Sequence, residues 1–185
     1  MGQINTLVGR TDAILAEFDL RLLSQETTSF TGVLVWKIPD FSRHFEEARM
    51  GKKPSLYSPP FYTSRHGYKM CVRVYLHGDG VGKSSHMSVF FVVMRGEFDA
   101  LLAWPFHQKV TLTLLDQSLG KRHISDTFLP DPSSSSFQRP STEMNIASGC
   151  PRFVSIDTLR TANGYVRDNT IFLRVAINCT GLPVY

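Results

Sequence analysis

The apolar residues of this chain change their spacing near residue 32, and this change limits the possible folds more than any other feature. Up to residue 30 they recur at alternating intervals of three and four, as on one stripe of an α-helix. Beyond residue 32 they recur at every second position, as on one face of a β-strand. The sequence therefore predicts a helix over residues 1–30 and a β-rich domain over residues 31–185.

The apolar stripe of the N-terminal segment has the spacing of the a and d positions of a coiled coil. Its members are Ile4, Leu7, Thr11, Ile14 and Phe18. A second row at heptad spacing widens the seam, and a wide seam favours more than two strands, so we predict a trimer. An amphipathic helix folded back on its own domain is the alternative, and about three heptads alone make only a weak oligomer.

The β-rich region contains several short runs with strand patterning. Residues 69–77 alternate, with Met70, Val72 and Val74 on one face and Arg73 and Tyr75 on the other, and similar patterns occur at 33–38, 86–94, 109–115 and 171–177. Clusters of Gly, Pro, Ser and Asp separate these runs, and helical patterning is scarce apart from one possible turn at 46–50. The sequence predicts an antiparallel β-sandwich or barrel.

Charge and cysteine content limit the classes of function. The net charge is +4, and because residues 1–32 contain two basic and four acidic residues, the remainder carries +6. A basic domain that binds nucleic acid or acidic lipid is therefore one alternative, although the basic residues are scattered. Three widely spaced cysteines give no disulfide framework and no zinc-site spacing, so we expect a reduced, cytoplasmic protein without a metal or another cofactor.

No constellation of residues in the sequence indicates catalysis. The loop Gly78-Asp-Gly-Val-Gly-Lys-Ser84 has a P-loop-like ending, but the position five residues before the Gly-Lys-Ser triplet is His77, and a strand-like run follows. Nucleophile elbows and paired acid/base carboxylates are lacking, and Cys150 fits a buried structural cysteine better than a nucleophile. We expect that the chain is not an enzyme.

A polar cluster at the end of one predicted strand suits the recognition of a peptide. Arg73 and Tyr75 share a face opposite the apolar one, and Asp79 follows in the turn. An ordinary solvent-exposed trio is the alternative. The hydroxyl-rich run 133–136 ends at Phe137, and a flexible or phosphorylated loop is the alternative there. Spacing alone does not show that the two groups meet.

Ordered motifs along residues 32–185 resemble the TRAF-C domains of the tumour necrosis factor receptor-associated factors, which are also called MATH domains. The motifs are Trp36-Lys-Ile38, Phe61-Tyr-Thr-Ser64, Gly67-Tyr-Lys-Met-Cys71, Tyr75-Leu-His-Gly-Asp-Gly80, Trp104-Pro-Phe106, Leu114-Leu-Asp-Gln117, Ser134-Ser-Ser-Phe137 and Met144-Asn-Ile-Ala-Ser-Gly-Cys-Pro151. His77, where the family usually has Asn, and the additional Ser133 depart from the family pattern. The helix resembles the end of the family's coiled coil.

The resemblance implies an antiparallel sandwich of about eight strands, assembled as a homotrimer, with hetero-oligomers also possible. It implies a cytoplasmic adaptor that captures short extended peptides from receptor tails, of the type Pro/Ser-x-Gln/Glu-x-Thr/acidic, or from other adaptors. It does not imply insertion into the membrane or binding to nucleic acid. Ubiquitin-ligase activity in this family needs a RING region, which these 185 residues lack.

The resemblance also implies roles for particular residues. Arg73 and Tyr75 resemble the pair that holds an acidic peptide side chain, and Asp79 resembles the acceptor for a peptide hydroxyl. A serine clamp for a central Gln or Glu resembles Ser134, Ser135 and Ser136. The apolar pocket walls for the leading residue resemble Phe90, Phe128 and Phe137. Beside that pocket lie two further expected contacts, Ser148 and the backbone of Gly149.

Overall fold

The computed structural model describes residues 2–185, with the exception of the side chains of residues 2 and 23–26. A long helix comes first, and nine strands and two shorter helices follow it. In chain order they are α1 (Gly2–Thr27), β1 (Val33–Ile38), α2 (Phe41–Arg49), β2 (Leu56–Tyr57), β3 (Phe61–Tyr62), β4 (Lys69–Tyr75), β5 (His86–Met94), β6 (Val110–Leu114), β7 (Ile124–Phe128), β8 (Ser148–Ser155), α3 (Ile156–Thr161) and β9 (Ile171–Ile177).

The strands form two antiparallel sheets. One has the order β1-β9-β6-β7, and the other has the order β2-β4-β5-β8 with β3 also paired to β4. The predicted all-β antiparallel sandwich with an N-terminal helix is confirmed. The described residues contain nine strands where about eight were expected, and two of them, β2 and β3, have only two residues each.

The core lies between the two sheets and is rich in aromatic rings. Strand β9 alternates between buried and half-buried residues, as the period of two predicts. Phe91 of β5 packs on Phe106 with ring centroids 5.4 Å apart, and Tyr68 packs edge-on against Phe106 at 4.9 Å. The core therefore packs on the inner face of the second sheet, and the outer face of that sheet carries the half-buried residues of β4 and β5.

Helix α2 is longer than the single turn that the sequence predicted at 46–50. It begins at Phe41 because Phe41 and Phe45, one helical turn apart, are both buried in the core. The other residues of α2 are mostly polar and have only a weak helical pattern, so the sequence did not indicate where this helix begins.

Helix α1 exposes its whole described length from residue 3 to residue 22. Ile4, Leu7, Ile14 and Phe18 are each more than 60% exposed, so these seam residues do not fold back onto the sandwich. The Thr11 hydroxyl donates to the Leu7 carbonyl at 3.0 Å and so belongs to the helix's own hydrogen bonding. The trimer remains a prediction.

Candidate peptide-binding surface

The outer face of the second sheet carries a transverse row of residues at its centre. Arg73 on β4 lies opposite Phe90 on β5, and Phe90 lies opposite Gly149 on β8. Val72 and Val74 point to the other face and are fully buried. Arg73 and Tyr75 are half-buried, so they lie on the face opposite the core, as the alternation predicts. Their role in recognition remains a prediction.

The Arg73 guanidinium contacts two tyrosine rings. It is 4.8 Å from the centre of the Tyr57 ring and 4.9 Å from that of Tyr75, and its Nε donates to Ser55 Oγ at 2.9 Å. Across residues 2–185, the described salt bridges include none from Arg73 to a carboxylate. This half-buried cation is therefore held by neutral groups alone.

Sequence reasoning missed Ser55 and Tyr57. Tyr57 lies beside Arg73 because β2 pairs with β4, in the register Tyr57 opposite Arg73. A two-residue strand leaves no periodic signal, so only the pairing itself reveals these neighbours.

Tyr75 connects this cluster to the turn that follows β4. Its ring meets Phe90 edge-on at 5.7 Å. Burial raises the pKa of Tyr75, the positive charge of Arg73 opposes that rise, and the negative charge of Asp79 adds to it. Asp79 itself is exposed, and its backbone N–H donates to Ser88 Oγ at 2.9 Å. Ser88 lies opposite Tyr75 in the β4–β5 pair, so this bond holds the backbone of the turn beside Tyr75.

The serine clamp lies on a short 3₁₀ turn, Ser135–Phe137. Ser134 caps this turn by accepting from the Ser136 N–H at 3.2 Å, and it is half-buried. Ser135 is exposed, whereas Ser136 is buried at 7% exposure. Ser135 and Ser134 therefore offer hydroxyls to a ligand more readily than Ser136 does.

The structure does not bring the three aromatic residues of the expected pocket together. Phe128 and Phe137 pack on each other at 6.3 Å, and Phe128 packs on Phe91, which is the next residue along β5 from Phe90. Successive strand residues point to opposite faces, so Phe90 joins Tyr75 while the other two rings face the interior side. Phe137 is only 2% exposed and belongs to the core, whereas Phe128 is half-buried.

Gly149 is required by the packing of the sheet itself. A Cβ at this position would stand 2.6 Å from the Val89 carbonyl oxygen, within the β5–β8 pair. The glycine therefore permits two strands of the sheet to approach, next to the register shift between Met87 and Val89. Its contact with a peptide remains a prediction, as does that of the neighbouring half-buried Ser148.

Cys150 forms a contact that the sequence did not indicate. It is half-buried, and its thiol donates to Asp126 Oδ2 at 2.9 Å, which joins β8 of one sheet to β7 of the other. Burial, together with the hydrogen bond to Asp126 and its charge, raises the pKa of Cys150 to about 12. Such a thiol remains protonated at neutral pH and is a poor nucleophile.

Within the described part of the chain, two classes of site have no candidate. No group of three or more His, Cys, Asp or Glu residues there has the arrangement of a metal site. None of the described helices combines the length and the apolar character needed to cross a bilayer.

Comparison with known proteins gives consistent matches. The model of the TRAF/meprin MATH domain family matches residues 53–174. Human TNF receptor-associated factor 2 is 51% identical over 180 residues, which cover 97% of this chain and 36% of that protein. Human TNF receptor-associated factor 5 is 55% identical over 171 residues, covering 92% of this chain and 30% of that protein.

A solved structure of TRAF5 from Notothenia coriiceps superposes with a TM-score of 0.86 at 41% identity, covering 100% of this chain and 91% of that one. The chain spans about a third of the length of the two human relatives. The sandwich, the preceding helix and these matches together show that the chain belongs to the TRAF/meprin MATH domain family, with the tumour necrosis factor receptor-associated factors as its relatives.

Proposed function

We propose that this chain is the peptide-capturing part of a cytoplasmic adaptor, and that it binds short extended segments of receptor tails or of other adaptors. The observation that carries the proposal is the half-buried Arg73, which faces outward beside Tyr75 without an ion pair to any described carboxylate. A cation in such a position favours an external acidic group. The relatives, TNF receptor-associated factors 2 and 5, are by their names associated with TNF receptors.

The proposed ligand is an extended peptide of the Pro/Ser-x-Gln/Glu-x-Thr/acidic type. Its acidic side chain would meet Arg73 and Tyr75, and a hydroxyl would donate to Asp79, which is exposed at the end of the same cluster. Ser135, exposed on its 3₁₀ turn, and Ser134 would bind a Gln or Glu side chain. Each of these contacts replaces one with water, so a single site binds weakly.

Trimerisation through α1 belongs to the same proposal. The apolar seam of Ile4, Leu7, Ile14 and Phe18 is exposed along the helix, and burying it against two further copies removes that apolar surface from water. Three linked sites facing clustered receptors would convert weak binding into high avidity.

Calorimetry with a Pro-x-Gln-x-Thr peptide tests the proposed groove. Tyr75→Ala and Ser135→Ala each remove a polar contact on the outer face, and we expect a loss of about 0.5–1.5 kcal/mol for each, or up to roughly tenfold in Kd. Thr161→Ala on the exposed side of α3 is the control. Unchanged affinity in both groove variants, with thermal unfolding like that of the unmodified chain, would exclude this groove.

A salt titration separates this proposal from the alternative of a basic domain that binds nucleic acid or acidic lipid. Affinity for a nucleic acid falls steeply with salt because bound counterions are released, whereas one Arg–carboxylate contact gives a mild dependence. We therefore expect a shallow slope with the peptide and no tight binding to DNA, RNA or anionic vesicles at about 0.15 M salt.

A further inference from the structure

The surroundings of Arg73 restrict both the position and the bonding capacity of its guanidinium. Tyr57 and Tyr75 cover it from two neighbouring strands at 4.8 and 4.9 Å, and Ser55 takes the Nε–H bond at 2.9 Å. Ser55 therefore fixes one nitrogen of the guanidinium, while the two rings contact it from β2 and β4. Together these three neighbours form what we call the Arg73 cage.

The cage leaves both terminal nitrogens of Arg73 available. Nε is satisfied inside the molecule, and among the described side chains no hydrogen bond or salt bridge engages Nη1 or Nη2 of this residue. The two terminal N–H groups of a guanidinium form a fixed planar fork, whose geometry matches the two oxygens of a carboxylate. None of the three cage residues carries a negative charge, so the positive charge of the fork is not neutralised from within.

We infer that Ser55 and Tyr57 are positioning residues: by presetting Arg73, they increase the preference of the proposed acidic position for a carboxylate over the matching amide. This inference rests on the proposed function, because it concerns the acidic position of the bound peptide. A free arginine side chain would lose rotamer freedom on binding, whereas the cage has already restricted it, which lowers the entropic cost of the contact.

Selectivity against the amide follows from the donors that face the ligand. An amide group has one oxygen for the two terminal nitrogens, and its NH₂ group would turn donors towards donors. It also lacks the negative charge that strengthens each hydrogen bond from a guanidinium. A misoriented arginine loses part of this discrimination, because it meets either ligand through a single hydrogen bond.

Two peptides that differ in one group test the inference by calorimetry. They are Pro-Ala-Gln-Ala-Glu and Pro-Ala-Gln-Ala-Gln with blocked termini, which differ at the Thr/acidic position of the proposed motif. Both are measured against the full chain and the variants Ser55→Ala and Tyr57→Leu. We expect the full chain to bind the acidic peptide roughly tenfold more tightly, as for a hydrogen bond to a charged group. In both variants the acidic peptide should lose about three- to tenfold, while the amide peptide changes by less than about twofold.

Matched variants separate positioning from a merely structural role. Tyr57→Phe keeps the ring beside Arg73 and should keep the selectivity, because the cation–π contact needs no hydroxyl. Tyr185→Leu removes another exposed tyrosine, outside the cage, and should leave both affinities unchanged. Arg73→Lys keeps the charge but removes the planar fork, so it should reduce the preference for the acidic peptide.

The possible failures are distinguishable. If the full chain binds neither peptide, the proposed function fails and the inference fails with it. If the full chain binds and prefers the acidic peptide, yet Ser55→Ala and Tyr57→Leu weaken both peptides equally or leave the preference intact, only the inference is overturned.

Discussion

Gly149 occupies a position in the sheet that has no room for a larger side chain. An added Cβ would approach the Val89 carbonyl oxygen to 2.6 Å and Phe90 Cα to 3.0 Å, and both are backbone atoms that have little freedom to move. We expect Gly149→Ala to lower the free energy of unfolding by about 1–3 kcal/mol, as an overpacked site does. Urea unfolding should show a lower midpoint with an unchanged slope.

The matched control for Gly149→Ala is Gly9→Ala. Gly9 lies within α1, and an added Cβ there meets no atom within 4 Å. Alanine also favours a helix more than glycine does, so this variant should not destabilise the chain. Equal midpoints for the two variants would contradict the steric account of Gly149.

Asp99 gives a dependence of stability on pH. It is 3% exposed, Gly96 N–H donates to its Oδ2 at 3.0 Å, and its Oδ1 has no described hydrogen-bond partner. Burial raises the pKa of Asp99 from its ordinary 3.8, so the folded state binds this proton more tightly than the unfolded state does. Its ionised form therefore destabilises the fold increasingly as the pH rises above that value.

We expect the unfolding free energy of Asp99→Asn, relative to the unmodified chain, to rise as the pH increases from about 3 to 7. Asp116→Asn is the control of opposite sign. Hydrogen bonds from Ser118 and from the Arg122 backbone N–H lower the pKa of Asp116, so its stabilising effect is present at neutral pH and is lost as the pH falls. Urea unfolding at a series of pH values makes the measurement. If the unfolding free energy relative to the unmodified chain changed with pH in the same direction for both variants, this assignment would be refuted.

At the scale of elements, the exposed apolar seam of α1 allows a test of the proposed trimer. Ile14 and Phe18 lie one helical turn apart and are 66% and 61% exposed. We expect Ile14→Asp with Phe18→Asp to convert the trimer to a monomer in light scattering at tens of micromolar, because buried charges without partners oppose association. Arg10→Ala, another exposed position of α1, is the control; a monomeric unmodified chain would contradict the prediction.

The elements that sequence reasoning found are those in which one periodicity extends over five or more residues. Strands β1, β5 and β9 begin and end at the predicted residues, and β4 and β6 lie within the predicted runs. Strands β7 and β8 were missed because Asp126 and Thr127 are exposed at successive positions and Pro151 interrupts the alternation. Helix α3 was also missed, although Ser155 caps it by accepting from the Thr158 N–H at 3.1 Å.

The same reasoning explains which parts of the candidate site the sequence revealed. Arg73 and Tyr75 were found from the alternation within one strand, and motifs indicated Asp79 and the serines. Ser55 and Tyr57 come into the site through pairing between strands, and Phe137 enters the core through tertiary packing. Contacts that depend on which strands are neighbours leave no trace in the spacing of a single segment.

At the scale of the whole molecule, α1 and the outer face of the second sheet have separate roles in the proposed function. In this proposal the helix would set the number of sites, whereas Arg73 and its neighbours would set the affinity of each site. Strand pairing continues from β2 through β4 and β5 to β8, which supports the surface without any contribution from the seam of α1. Changes in the seam should therefore leave single-site binding unaltered.

This separation predicts different effects on soluble and on clustered peptides. The seam variant Ile14→Asp with Phe18→Asp should bind a soluble peptide as the unmodified chain does, because its groove residues are unchanged. On a surface densely coated with that peptide, its apparent Kd should be weaker by about 10²–10⁴, since linked sites no longer rebind at a high effective concentration. On a sparse surface the two proteins should converge, because neighbouring peptides are then beyond the reach of one trimer. Equal binding to dense and sparse surfaces by the unmodified chain would contradict a role for avidity, and surface plasmon resonance at two coating densities makes the measurement.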